Sequence, residues 1–323
     1  MRTTAADQAA DASDDRQRQE IVSRRSRSKR LALSIAAVVL LGAVAFWIVA
    51  RQEESMKSMG ENRTTTSTDG TRIAFTKIGS GPPLILVDGA FCYRENGPAA
   101  KLAVLLARHF TVFAYDRRGR GESGDTPPYA IEREVEDLRA LIKEAGGSAF
   151  VLAISSGAAV ALQAVAGGAS IGRLALFEPP FVTESGQPRT YEVARARLDQ
   201  LLSDGDRAGA VKFFLTDVVG VPRPFTFVMP ILMRSGWEKN KAVAHTLKYD
   251  LKLLSDWSVL NGQSASVPTL VVAGEKSPRF LRDAVSMVAA AIPGSRTKTL
   301  AGQNHNLSPA VLAPVVDEFF QGH

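Results

Sequence analysis

A serine hydroxyl is a poor nucleophile until a base takes its proton, so the informative serines are those a sharp turn could present to a histidine. Ser155 ends the apolar run Phe150-Val151-Leu152-Ala153-Ile154 and is followed by the small residues Ser156, Gly157, Ala158 and Ala159. Small residues after a buried strand let strand and helix approach closely and leave Oγ projecting from the turn. Taken alone, the same junction also fits an ordinary tight turn. Of the four histidines, His109 precedes a strand-like run, His245 lies in a long helical interval and His323 ends the chain, so these three read as structural or solvated. His305, in Gly302-Gln303-Asn304-His305, falls in a loop after the last strand-like run, and an open α/β sheet assembles its sites at such strand ends. Ser155 and His305 together could carry out acyl transfer, the serine attacking and the imidazole moving its proton. Cys92 is the single cysteine, which excludes an internal disulfide and any cysteine-based metal spacing. With no histidine beside it in sequence, it reads as a small apolar residue. No cofactor and no metal are expected.

Elements must exist to hold such a pair. Strand-like runs at Arg72–Lys77, Leu84–Val87, Val112–Tyr115, Phe150–Ile154, Leu174–Phe177, Thr269–Ala273 and Thr297–Leu300 alternate with helical patterns. The helical patterns cover Ile131–Ala145, Ser156–Val165, Arg279–Ala291 and Pro309–Phe320, the last with Ser308 at its N-cap and Pro309 at the first helical position. Near-continuous apolar runs such as LILV and TLVVA suit strands covered by helices on both faces, as in a parallel sheet. The expectation is an α/β fold with a doubly wound, mostly parallel sheet. The alternation breaks at about residues 183–266, helix-like and without a strand, which predicts a helical cap inserted between two strands. Within it Phe225–Met233 reads as a run completing the core, with an acyl pocket or contact with lipid as alternatives. Trp237 and Trp257 read as packing residues.

Composition bounds the rest. A chain of 323 residues with 45% hydrophobic content can bury a large core. The formal charge of +6 is concentrated near the start: residues 1–30 hold eight basic and five acidic side chains. The remainder is close to neutral, so nucleic acid is not an expected partner. Residues 1–30 lack an apolar period and read as a disordered basic tail. Residues 31–50, LALSIAAVVLLGAVAFWIVA, run for twenty residues without a charge, and that length crosses a hydrocarbon core of ~30 Å as a helix. An uncleaved membrane helix is expected there. Arg24-Arg25-Ser26-Arg27-Ser28-Lys29-Arg30 precedes it, which puts the N-terminus in the cytoplasm and the large domain on the outer side. Cleavage of the same segment as a signal peptide, giving a secreted protein, is the alternative. Residues 51–62 read as a polar linker that reaches at most ~40 Å, and residues 63–323 as the folded domain.

Four segments now fall into a pattern. Ala153-Ile154-Ser155-Ser156-Gly157 resembles a G-x-S-x-G elbow with alanine in place of the first glycine. Val87-Asp88-Gly89-Ala90-Phe91 looks like an oxyanion turn after a third strand, with Asp88 where histidine is usual, and Asp116-Arg117-Arg118-Gly119-Arg120-Gly121-Glu122-Ser123 is similar to an Asp-x-Arg-Gly-x-Gly-x-Ser loop. Gly302-Gln303-Asn304-His305 resembles the Gly-x-x-His loop that delivers a catalytic histidine. In this order and spacing they resemble the α/β-hydrolase fold superfamily over most of residues 64–320. The resemblance implies a nucleophile at Ser155 and a base at His305. Backbone N–H groups of Ser156 and of Ala90 or Phe91 would then receive the oxyanion. It also exposes a gap: where the family presents Gly-x-x-Asp after the seventh strand, Gly274-Glu275-Lys276-Ser277 offers serine. An imidazolium without its carboxylate loses orientation and charge compensation, so another acid is expected. Glu178 ends the sixth strand, where some haloalkane dehalogenases of this superfamily carry theirs; Glu275, or no acid, are the alternatives. Dehalogenases and epoxide hydrolases of this fold use an aspartate nucleophile, so Ser155 argues against both.

The resulting expectation is a membrane-anchored serine hydrolase that cleaves a carboxylic ester or related acyl bond in a small to medium apolar substrate through an acyl-enzyme. The expected partners are that small-molecule acyl substrate and, through residues 31–50, a membrane; the oligomeric state is left open. The competing expectation is a catalytically weak ligand-binding protein on the same scaffold, suggested by Ala153 and Ser277.

Overall fold

A computed structural model describes residues 60–181, 188–255 and 267–322. Its strands are β1 (Glu61–Thr66), β2 (Arg72–Ile78), β3 (Pro83–Val87), β4 (Thr111–Tyr115), β5 (Ala149–Ile154), β6 (Ile171–Phe177), β7 (Thr269–Gly274) and β8 (Arg296–Leu300). Its helices are α1 (Ala99–Leu106), α2 (Ile131–Glu144), α3 (Gly157–Ala166), α4 (Pro188–Ser203), α5 (Arg207–Phe213), α6 (Arg223–Leu232), α7 (Arg234–Ala242), α8 (Leu247–Ser255), α9 (Arg279–Ala291) and α10 (Pro309–Gln321). One sheet forms in the order β1-β2-β4-β3-β5-β6-β7-β8. β2 pairs antiparallel with both β1 and β4, and every other pairing is parallel.

The apolar runs explain the layers. Successive strand side chains point to opposite faces, so a run apolar at every position feeds two cores. Leu84, Leu86, Leu152 and Ile154 pack on one face with Leu102, Leu106, Leu312 and Phe320 of α1 and α10. Ile85, Val87, Val151 and Ala153 pack on the other with Leu138 of α2, Val160 of α3 and Val288 of α9. Leu84 and Leu152 are fully buried, and truncating such a leucine to alanine costs ~2–5 kcal/mol because the cavity collapses only in part. All the parallel strands end on the same side of the sheet, and the loops there carry Asp88, Ser155, Glu178 and His305.

Between β6 and β7 the described residues are helical. α5 runs into a π-helical turn at Phe214–Val218, and a short 3-10 turn at Ala244–Thr246 precedes α8. Two readings of the sequence need correction. β1 begins at Glu61, taking the last two residues of the expected linker; its side chains are almost all exposed, so an edge strand of polar residues leaves no apolar period to read. Phe225–Met233 does not complete the core: it forms most of α6, and Phe225, Phe227, Ile231, Leu232 and Met233 are exposed. Trp237 is buried. The basic tail at 1–30, the membrane helix expected at 31–50, Trp257 and His323 lie outside the described residues. Among those described, no helix is long and apolar enough to cross a membrane.

Candidate active site

β5 passes into α3 through Ser155, whose φ of 53° lies in the left-handed region. A side chain is held there only where its surroundings over-determine it. Ser155 N–H donates to Phe177 O at 2.9 Å, and Ser155 O accepts from Ala158 N–H at 2.9 Å, fixing the turn from both sides. The small residues are sterically required. A Cβ at Gly157 would lie 2.4 Å from Val87 O, and one at Gly89 would lie 2.9 Å from Ser155 Cβ. Ala153 is fully buried inside β5, where a methyl is accommodated in place of the hydrogen of a glycine. Among the described residues other than glycine, positive φ occurs at Phe91, Ser155 and Glu178. All three terminate or follow parallel strands, and strain of this kind concentrates at functional sites.

Glu178 follows β6 immediately and is fully buried. Its Oε2 lies 2.7 Å from His305 Nδ1, and its Oε1 accepts Gly274 N–H at 2.6 Å and the Ser277 hydroxyl. Ser277, in the position where a carboxylate was missing from the sequence pattern, thus serves as a donor to the acid one strand away. Glu275 points elsewhere and its carboxylate accepts Gly302 N–H at 2.8 Å. The His305 ring stacks at 6.4 Å from Phe177, the residue whose carbonyl holds Ser155 N–H. Serine, histidine and acid therefore converge on the ends of β5, β6 and β8. No hydrogen bond joins Ser155 Oγ to His305 among the described residues, and such bonds often close only when substrate binds.

The turn after β3, the expected oxyanion turn, is held from behind by a buried ionic network that sequence reading missed. Arg117 pairs with Glu134 at 2.6 Å and with Asp250 at 2.8 Å, and Arg120 pairs with Asp250 at 2.7 Å. The same guanidinium groups donate to the turn: Arg117 to Asp88 O at 3.3 Å and Arg120 to Gly89 O at 2.5 Å. Asp250, on α8 of the inserted helices, also accepts the Ser156 hydroxyl at 2.7 Å. Burial alone would raise the Asp250 carboxyl, but Arg120 and Arg117 outweigh it and hold the pKa below the usual range. Ser156 is therefore tied through its side chain as well as available through its backbone N–H. An aspartate on the buried apolar face of α8, beside Leu251 and Leu254, is the signal that could have pointed to this network.

Asp88, within the turn, is different. Both carboxylate oxygens are buried without a well-formed hydrogen bond, and burial pushes its pKa up to about 7 against the pull of Arg120 and Arg117. Burial also raises the Cys92 thiol far from thiolate character, so that sulfur is no rival nucleophile. His109 pairs with Asp317 at 2.8 Å on the surface, and desolvation lowers the pKa of His245; neither approaches Ser155 through any hydrogen bond. Among the described residues no cluster of His, Cys, Asp or Glu could hold a metal ion. A hollow of about 480 Å³ on the inserted helices, lined by Asp206, Arg207, Glu238 and Lys241, contains none of the side chains above.

Comparison with known proteins agrees with this architecture. A sequence profile described as "Alpha/beta hydrolase family" matches residues 80–316. A solved structure of an alpha/beta hydrolase from Sphaerobacter thermophilus is 47% identical, with a TM-score of 0.74 over 80% of this chain and all of that one. An esterase from a Rhodococcus species is 18% identical with a TM-score of 0.61, covering 81% of this chain and 98% of its own, a similarity of fold alone. The uncharacterized hydrolase YraK of Bacillus subtilis is 35% identical over 109 residues, which span only 32% of this chain and 38% of that protein.

Proposed function

This chain belongs to the alpha/beta hydrolase family, and from that premise we propose that it is a serine hydrolase cleaving carboxylic esters or related acyl bonds of small to medium apolar substrates. The observation that carries the reading is the buried Glu178 carboxylate 2.7 Å from His305 Nδ1, delivered beside the strained Ser155 turn. By accepting Nδ1–H, Glu178 leaves Nε2 as the unprotonated nitrogen and selects the tautomer that can act as a base. As Ser155 Oγ attacks the acyl carbon, its proton passes to Nε2 and the carbonyl electrons move to oxygen. N–H groups of Ser156 and of Ala90 or Phe91 would donate hydrogen bonds to that oxyanion. None of the three bonds another backbone carbonyl among the described residues. Collapse of the tetrahedral species expels the alcohol, which takes the proton from Nε2. Water then attacks the acyl-enzyme with His305 again as base, releasing the acid and restoring Ser155.

A fluorophosphonate probe tests the nucleophile. Labelling and ester turnover should both disappear in Ser155→Ala while the fold persists, because a partly exposed hydroxyl at the elbow contributes little to packing. The second reading, a ligand-binding protein with an inert serine, draws on the absence of a Ser155–His305 hydrogen bond. Native protein that ignores the probe would favour it. Residues 31–50 are proposed as an uncleaved anchor with the catalytic domain on the outer side of the membrane.

A further inference from the structure

Helix α6 is built inside out. Its sequence RPFTFVMPIL is apolar, yet the residue it buries is Thr226, whose hydroxyl is satisfied by Arg223 O at 2.8 Å. Phe225 is 62% exposed, Phe227 67%, Ile231 79% and Leu232 77%, and Met233 follows at 57%. Burying a side chain of this size is worth ~1.5–3 kcal/mol, and contiguous apolar surface left in water marks a place where something else binds. What surrounds the patch identifies the occupant. Residues 217–238 hold two cations, Arg223 and Arg234, with an acid at each end: Asp217, 3.6 Å from Arg223, and Glu238, 2.8 Å from Lys241. Lys212 adds a third cation, its Nζ lying 5.1 Å from the centre of the Phe227 ring.

Large aromatic and aliphatic side chains rimmed by cations are the composition of a helix lying in the plane of an anionic lipid interface. A second copy fits less well: two α6 helices packed antiparallel about a two-fold axis would set Arg223 of one against Arg234 of the other. The anchor proposed for the twenty charge-free residues at 31–50 would supply the bilayer. β1 runs parallel to β4, so the chain enters at the end of the sheet away from the inserted helices. The ten residues 51–60 reach ~33 Å. That exceeds a five-residue strand of ~17 Å plus one helix layer of ~10 Å.

We propose that α6 lies in the interfacial region of the bilayer as a second attachment, from which apolar acyl substrates pass to the inserted helices without crossing water. α6 packs on the π-helical turn at 214–218, and Phe214 of that turn meets Phe91 edge to face at 5.3 Å, so this contact leads to the oxyanion turn. The delivery of substrate rests on the hydrolase reading; the lipid contact does not.

The full chain, with Cys92→Ala and a fluorophore on Ile231→Cys, is reconstituted in vesicles of phosphatidylcholine and phosphatidylglycerol, with Lys143→Cys on α2 as the reference site. Acyl-chain quenchers should suppress emission at 231 several-fold more than at 143, and equally so in Ser155→Ala, which separates this result from any failure of catalysis. Equal exposure of the two sites to aqueous iodide overturns the proposal, and so does disulfide trapping of two 231 cysteines without lipid quenching. Phe227→Glu with Ile231→Glu should lower turnover of a vesicle-borne long-chain ester by ~10-fold or more, one decade being ~1.4 kcal/mol, and leave a water-soluble short-chain ester unchanged. Equal turnover of both esters in that double variant overturns the delivery route.

Discussion

In the proposed triad the acid is Glu178, at the end of the strand next to the one that leads to Ser277. Glu178 takes three donors, Gly274 N–H at the end of β7 and Ser277 Oγ–H and His305 from loops beyond strand ends. Glu178→Gln should therefore cost at least ~10²-fold in turnover at neutral pH, toward the ~10⁴ seen when a triad acid becomes an amide. Glu275→Gln should be nearly unchanged, because that carboxylate is spent on Gly302 N–H. Steady-state rates on one ester with folding controls decide it; an inactive Glu275→Gln beside an active Glu178→Gln would reverse the assignment. Asp88 makes a prediction about stability. In the unfolded chain its carboxyl ionises near 3.8, whereas the folded chain keeps the proton to about 7. Its favourable contribution is thus complete below the lower value and is lost as pH rises through the upper one. Asp88→Asn should gain on the parent between pH 5 and 8, by up to ~4 kcal/mol, as read by denaturant melts. A parallel pH dependence of the two proteins would show that Asp88 ionises freely.

The loop after β4 and helix α8 act as one element. Arg117 and Arg120 hold the carbonyls of the oxyanion turn while Asp250 holds both arginines and the Ser156 hydroxyl. Breaking a buried ion pair leaves uncompensated charge and costs roughly 3–5 kcal/mol. Asp250→Asn should lose stability of that order and also turnover, since the turn loses its support. Ser156→Ala removes one donor of several and should cost only ~1 kcal/mol. Thermal melts beside rates measured well below the melting point separate the two effects. Turnover held at the parental level in Asp250→Asn would mean that the network serves folding alone. Sequence offered Ser156 through its backbone N–H but not this hydroxyl bond, because it shows a small residue at a turn and not what lies above it.

On the scale of the whole molecule, the orientation proposed for residues 31–50 has a direct consequence. Protease added to intact cells should release the catalytic domain, since on that proposal the basic cluster before Leu31 would keep the N-terminus inside. Recovery of the protected domain in the cytosol would reject that orientation, and a soluble domain outside without protease would favour signal cleavage. The fold itself was legible because its cause is local: a run such as LILV is apolar at every position only when both faces of the strand are covered, so β3, β5 and β7 were readable from composition, as were α2 and α3, whereas the eight-residue α1 was not. β1 was not, because an exposed edge strand carries no such pattern. Ser155 and His305 could be singled out as candidates because small residues and loop position follow from backbone geometry within a few residues. Other features arise between residues far apart in the chain: the Glu178–His305 contact across 127 residues, the Ser156–Asp250 bond across 94, and the outward face of α6. Sequence could place Glu178 at a strand end, but only the packing of β6 beside β7 and the His305 loop decided which carboxylate faces the imidazole. Local pattern determines which residues can form an element, and the burial of one element against another determines which of their side chains meet.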